Sequence, residues 1–347
     1  MPRVKCFIDT DVYVEAKKRI KHVIESFDTI VICFSGGKDS LAVIHLVKEV
    51  YDEMGITRKL NVIFRDEELI HREVLEFVNK YRQLDWIDLK WFCLPLASKK
   101  FVMGVITDYV QWDNKRDWIR PKPEYAISLP RDDKRIFDQY NTDAFIAKYY
   151  KGKIALVNGI RASESLIRFR ASVNKLTENY VNAVPSTKAK NVKLVKPIFD
   201  WMENDIFKYF HEKSIQYCHI YDHQMWSSQS LRVSTPLHAE SAKQFDKLRL
   251  TCPVLYEQVI QVFPDMTIQE RYYRELDKKA LRTEHSKSLK SIKDWIVANI
   301  TDPHEFNLAK KRFNSVYPRY KRDPSPEKLE HIFTQFMNGS YKREIML

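Results

Sequence analysis

Residues 30–46 read IVICFSGGKDSLAVIHL. The apolar, β-branched run TIVICF (29–34) meets a turn of Ser35, Gly36, Gly37, Lys38, Asp39 and Ser40, and an apolar helical pattern follows at once. A run of this kind reads as a strand buried on both faces. The chain has only seven glycines, and two adjacent ones stand here. Glycine lets backbone approach a ligand and reach conformations closed to other residues. Successive N–H groups at the start of the next helix then form an anion-binding nest. The simpler alternative is an ordinary strand-to-helix turn capped by Asp39 or Ser40. Strand, double glycine, polar turn and helix together favour a phosphate loop.

The flanking pattern predicts the fold class. Thr10 and Asp11 are helix caps before an amphipathic segment with Ala16, Ile20, Val23, Ile24 and Phe27 at helical spacing. Helices are expected over 40–54, 68–83 and 202–213, and strands over 29–34, 59–65, 88–95, 153–159 and 193–200. Alternating strands and helices predict α/β architecture, a doubly wound parallel sheet. From about 215 the pattern turns mainly helical and basic. The expected organisation is an N-terminal amphipathic helix in 1–28, a nucleotide-binding α/β domain over 29–214 with an irregular insertion at 101–150, and a helical C-terminal region over 215–347.

The loop is not a Walker A loop, which needs a glycine where Ile32 stands and Ser or Thr where Asp39 stands. The dinucleotide fingerprint G-x-G-x-x-G is missing too. The fixed positions Ser35, Gly36, Gly37, Asp39 and Ser40 resemble the PP-loop of the adenine nucleotide α-hydrolase-like superfamily. FRDEELIHREVLEF, NGIRASESLIRFR and KPIFDWMENDIFKYF, in that order, resemble its phosphoadenosine phosphosulfate (PAPS) reductase-like family. WFCLPLASKK, QWDNKRDWIRPKP and the leading helix resemble a branch that includes regulators of immunoglobulin-binding genes. The resemblance covers about residues 10–265. It implies ATP or PAPS as the nucleotide, magnesium, and chemistry at the α-phosphate. For this branch it also implies a ParB-like protein partner.

Ser35, Asp66, Arg161 and Asp200 fall at the carboxyl ends of the expected parallel strands, the edge where ligands bind in open α/β sheets. Lys38 and the loop N–H groups are assigned to the departing pyrophosphate, and Asp39 to magnesium. Asp66 and Glu67 either meet a ribose hydroxyl or a magnesium ion, or cap the following helix. Arg161, just past Gly159, is an anion contact, since a guanidinium fork meets two oxygens at once. Arg168 is a secondary candidate, because a Glu164–Arg168 pair at i,i+4 also reads as a surface ion pair. Lys38, Asp39 and Arg161 are the candidate catalytic set. Asp200, Trp201 and Asp205 read as architecture. Trp118, Arg120 and Lys122 cover the nucleotide mouth, form part of a partner surface, or form a packed loop.

By resemblance, a sulfonucleotide reductase needs a cysteine in its tail segment, and here none follows Cys252. Five scattered cysteines without a C-x-x-C pair argue against a disulfide scaffold and an iron–sulfur cluster. Cys218, His219, His223 and Cys252 have poor zinc spacing. A net charge of +12 favours anionic partners and leaves nucleic acid open as an acceptor. Without a signal-peptide pattern or a membrane-length apolar run, a cytoplasmic location without membrane partners is expected. Three functions compete: an ATP pyrophosphatase-type enzyme activating an acceptor for sulfur transfer or nucleic-acid modification, a PAPS or adenylyl-sulfate binder lacking the reductase cysteine, and a nucleotide-sensing regulatory module whose basic C-terminal part binds nucleic acid or a protein partner. The acceptor and the oligomeric state are not legible.

Overall fold

The structure is a computed structural model that describes residues 9–103, 105–173, 178–184, 189–227, 229, 231–272, 278–342 and 344–345. Cys6 and the first eight residues of the expected 1–28 segment lie outside the described residues.

The strands are β1 (Thr29–Phe34), β2 (Leu60–Arg65), β3 (Ile87–Cys93), β4 (Leu96–Val102), β5 (Val105–Gln111), β6 (Ile127–Ser128), β7 (Ile154–Asn158), β8 (Val181–Ala183) and β9 (Val192–Val195). Seven of them form one sheet in the order β6-β3-β2-β1-β7-β9-β8, parallel except for β8 against β9. The chain fills one side of β1 first and then crosses to β7 on the other. The order therefore reverses between β1 and β7, each of which ends beside a polar turn.

Period-2 alternation in β1 sends Ile30, Ile32 and Phe34 to one face and Val31 to the other. The first face is covered by α1 (Val12–Ser26), α2 (Lys38–Glu53) and α3 (Arg72–Arg82). Asp11 caps α1, accepting from the N–H of Tyr13 at 2.7 Å. Helix α2 buries Leu41, Ala42, Val43, Ile44, Leu46 and Val47, so most of its circumference is packed. On the second face Val31, Ile63, Phe92 and Leu156 pack with Ile146 of α4 (Gln139–Ala147).

Three expectations need correction. The stretch 101–150 is not irregular throughout: β5 pairs antiparallel with β4, and β6 and α4 follow. The third helix begins at Arg72 rather than 68. Buried Glu68 takes a left-handed φ of 67° there and accepts from the Trp112 N–H and from Arg116 at 2.7 Å. Strand β9 stops at Val195, since Pro197 cannot donate to a ladder.

After α5 (Leu166–Val173), α6 (Glu203–Glu212) and α7 (Ile220–Trp226) come α8 (Ala239–Ala242), α9 (Phe245–Thr251), α10 (Pro253–Val262) and α11 (Met266–Tyr272). The chain separates into two compact units, Met1–Glu270 and Arg271–Leu347. The helical region expected from 215 is thus split, and 215–270 belong with the sheet. The second unit holds α12 (Lys278–His285), α13 (Leu289–Asn299), α14 (Pro303–Arg322) and α15 (Pro326–Met337). They share a core of Ile292, Ile296, Phe313, Val316, Phe333 and Phe336. Side chains of Ser288, Asp302 and Ser325 cap the last three helices. Among the described residues, no helix is long and apolar enough to cross a membrane.

Candidate active site at the end of β1

The turn after β1 is held in one shape by its own residues. Gly36 has φ +76°, and a Cβ there would come within 2.6 Å of Val74 Cγ1. The Ser35 N–H donates to Ser40 Oγ at 3.1 Å, and Ser40 Oγ donates to the Gly37 carbonyl at 3.0 Å. Gly37 is the N-cap of α2 and makes no side-chain cap bond, so Asp39 does not cap the helix. Helix α2 thus presents its N-terminus, and the partial positive charge there, at the sheet edge.

At the end of β7, Gly159 packs so tightly on the start of α2 that a Cβ would fall 2.5 Å from the Asp39 carbonyl carbon and 2.6 Å from Ser40 N. That closeness brings Arg161 to the loop. Its Nε donates to Asp39 Oδ1 at 2.5 Å and its Nη1 to Ser163 Oγ at 3.2 Å. Lys38 Nζ lies 3.4 Å from Asp39 Oδ2 and 3.2 Å from Glu203 Oε2. Glu203 Oε2 is also 3.8 Å from Arg161 Nη2. Two cations and two carboxylates therefore form one cluster. Lys38 and Arg161 are only 4 % and 6 % exposed at the side chain, while Glu203 is 47 % exposed.

The cluster opens into a cavity of about 780 Å³. All the loop residues except Gly36 line it, together with Glu67, Gly159, Arg161 and Arg168. Gly36 instead fits the loop against α3, and Gly159 adds closeness to the helix rather than a side-chain contact. Arg168 lines the cavity while paired with Glu164.

Asp66 does not reach the cavity. Its side chain is fully buried, accepting from Trp91 Nε1 at 2.8 Å and from Arg120 at 2.5 Å. It does not cap α3 either, whose N-cap is His71. Next to it, Glu67 does line the cavity and accepts from the Thr235 N–H at 3.2 Å. Arg120 is thereby drawn into the interior, and Lys122 Nζ lies 4.1 Å over the Trp118 ring, so 118–122 form a packed loop. Asp200 is held by a two-point pair with Arg19 at 2.7 and 2.8 Å, Trp201 Nε1 donates to the Val12 carbonyl, and Asp205 accepts from the Met202 N–H. That motif is architecture, tying α1 and α6 to the sheet.

Sequence reasoning missed Glu203 as a site residue, along with a wall supplied by Tyr221, Gln229 and 231–234. Tyr221 Oη accepts from the Lys38 N–H at 2.9 Å, the Lys38 ammonium lies 5.3 Å over its ring, and Lys38 Nζ donates to the Leu231 carbonyl at 3.3 Å. The sequence offered only a mainly helical region from about 215, and nothing in its composition ties Tyr221 to a loop 183 residues away.

Burial pushes the thiols of Cys33 and Cys218 up to about 12 and about 11, and raises those of Cys93 and Cys252 as well. Burial thus disfavours the thiolate form in each of these four. Among the described residues no group of three or more His, Cys, Asp or Glu could hold a metal ion. Asp39 and Glu203 nevertheless suit magnesium, which binds through one or two carboxylates, keeps waters and takes phosphate oxygens from its substrate.

The chain is 28% identical over 208 residues to Uncharacterized protein YbdN of Escherichia coli (strain K12), covering 56% of this chain and 50% of that protein. It thus spans about half the length of that relative. Among solved structures it is similar to Candida glabrata FMN adenylyltransferase in complex with FMN and the ATP analog AMPCPP, at 13% identity and a TM-score of 0.42, over 63% of this chain and 64% of that one. It is also similar to phosphoadenylyl-sulfate (PAPS) reductase from Candida auris, at 12% identity and a TM-score of 0.36, over 64% and 90%. The phosphoadenosine phosphosulfate reductase domain model matches residues 29–259, two-thirds of the sequence and the whole of the cavity wall, and the chain belongs to that family.

Proposed function

We propose that the chain binds ATP with its phosphates on the Ser35–Ser40 loop and lets an acceptor attack the α-phosphate. The observation that carries this reading is the convergence of the α2 N-terminus, Lys38 and Arg161 on one cavity at the switch in strand order. A lone pair of the acceptor forms a bond to the α-phosphorus, and the bond to the bridging oxygen breaks. Pyrophosphate leaves with that electron pair, and the acceptor's proton passes to solvent. The loop N–H groups and Lys38 neutralise the charge gathering on the leaving group, and Arg161 lies against the reacting phosphate. Asp39 orients both cations, and Asp39 with Glu203 would hold magnesium, which when bound screens charge between the phosphates. Burial that raises the thiols of Cys33, Cys218 and Cys252 favours attack by an external acceptor over a reduction at these cysteines.

Incubation with α-labelled ATP and magnesium, with and without RNA or DNA, tests the reading by following AMP or adenylated product and pyrophosphate. Pyrophosphate release is expected, and a fall of about a hundredfold or more in Arg161→Met, the usual cost of one such donor. ATP binding without turnover on every acceptor would replace the enzyme reading with a sensing module. Preference for PAPS over ATP would move the substrate to a sulfonucleotide.

A further inference from the structure

Residues 306–322 hold six Lys and Arg and no acidic residue. They make up most of α14, the longest helix of the second unit. Its inner side is spent on packing, with Ala309, Phe313 and Val316 buried. Arg312 donates to the Tyr341 carbonyl at 3.2 Å, and Arg319 pairs with Glu344 at 2.8 Å. The other four, Lys310, Lys311, Lys321 and Arg322, are exposed and make no ion pair among the described residues.

Ordinary helix electrostatics accounts for only part of this. Cations in the last turn complement the helix dipole, which covers Lys321 and Arg322. Lys310 and Lys311 stand mid-helix, where the positions three and four residues away carry no carboxylate to pair with them. Like charges left together repel one another and weaken the compact state, unless an anion is bound over them. Between the two pairs the same side offers Asn314 and Tyr317, a hydrogen-bonding amide and a 40 % exposed ring with Lys321 Nζ 5.0 Å above it. The two cation pairs are 11 residues apart, about 16 Å along the helix axis. That is a spacing for a polymer with repeated charges rather than for one small anion.

We propose that the exposed face of α14 is a nucleic-acid docking surface, with Lys310, Lys311, Lys321 and Arg322 on backbone phosphates and Tyr317 against a sugar or base. This goes beyond the nucleotide reading and does not depend on it, because binding is measured without ATP. The probes are a fluorescent single-stranded RNA and a duplex DNA of matched sequence, titrated with the full chain from about 50 to 200 mM salt. Each phosphate contact contributes about 0.9 to the slope of log affinity against log salt on duplex and about 0.7 on a single strand. The variant K310Q/K311Q/K321Q/R322Q is expected to bind at least tenfold more weakly at the low-salt end, with a slope shallower by roughly three. The preferred probe tells which strand form is bound.

A charge-matched control, K21Q/K59Q/K115Q/K134Q, removes four exposed lysines of the first unit and is expected to leave most of the binding intact. Single Lys311→Glu, with circular dichroism as the folding check, repeats the test if the quadruple variant is unstable. Absence of binding to either probe at 50 mM salt would overturn the proposal and leave an acidic protein face as the alternative. Equal losses in the variant and the control would overturn it as well, reducing the effect to bulk charge.

Discussion

At the residue scale the candidate site is a balance between two cations and two carboxylates, and the carboxylates differ. Asp39 is half-sheltered, bonded to Arg161 and close to Lys38. Glu203 is the more exposed and reaches the same two cations at 3.2 and 3.8 Å. In the proposed reaction an incoming phosphate would compete with Glu203 first, because that carboxylate loses least by turning to water. Glu203→Gln is therefore expected to tighten magnesium-free ATP binding two- to fivefold, the range of a solvent-screened ion pair. Weaker binding by calorimetry would instead make Glu203 a ligand that ATP needs. The loop residues and Arg161 were legible in the sequence, since their types match the chemistry of phosphate. Asp66 shows the limit of that reasoning. It stands one residue from Glu67 and has the same charge, yet Trp91 and Arg120 enclose it while Glu67 opens to the cavity. Period-2 alternation says that neighbours diverge, not which one faces the ligand.

At the element scale the site depends on how closely β7 approaches α2. Gly159 permits that approach, because the atoms a Cβ would strike are backbone and cannot turn aside. Gly159→Ala is expected to cost about 1–3 kcal/mol in stability, the range for forcing an extra carbon into packed surroundings. It should also weaken ATP binding by shifting Arg161 from Asp39. Unchanged denaturant midpoint and unchanged affinity together would remove Gly159 from the site. Strands β1, β2, β3 and β7 fell within a residue or two of their expected spans, because each is a short apolar run between polar turns. The β4–β5 hairpin was not legible. Its strands read LASKKFV and VITDYVQ, where Lys99 pairs with Asp108 across the ladder and charges obscure the apolar alternation.

At the scale of the whole molecule, two partly buried histidines of the first unit add to the sensitivity to acid. Burial lowers both His45, hydrogen-bonded to Tyr81 at 2.9 Å, and His71 to about 4. In the unfolded chain each takes up a proton near pH 6.5, so between about 4 and 6.5 the unfolded state binds more protons and stability rises with pH. As pH falls through this window each histidine removes up to about 3 kcal/mol. Melting curves from pH 7 to pH 4 are expected to shift downward, and His45→Gln should flatten that slope. A slope unchanged in the variant would mean that His45 is protonated when folded. The division into two units also belongs to this scale, and it fell near 270 rather than 215. Composition changes where helices begin, whereas a compact unit ends where contacts do, and α7 to α10 spend theirs on the sheet domain.

By itself the sequence determined the α/β class, the glycine-bearing loop after β1, and the polar turn that brings Arg161 to the same sheet edge. These are local properties, readable from the period of apolar residues and from the few glycines. The tertiary structure alone decided that Glu203, Tyr221 and Leu231 close around Lys38, that Asp66 is sealed inside, and that Tyr221 and 231–234 wall the cavity. Such contacts join residues far apart in the chain, and side-chain type carries no record of which distant surface it meets.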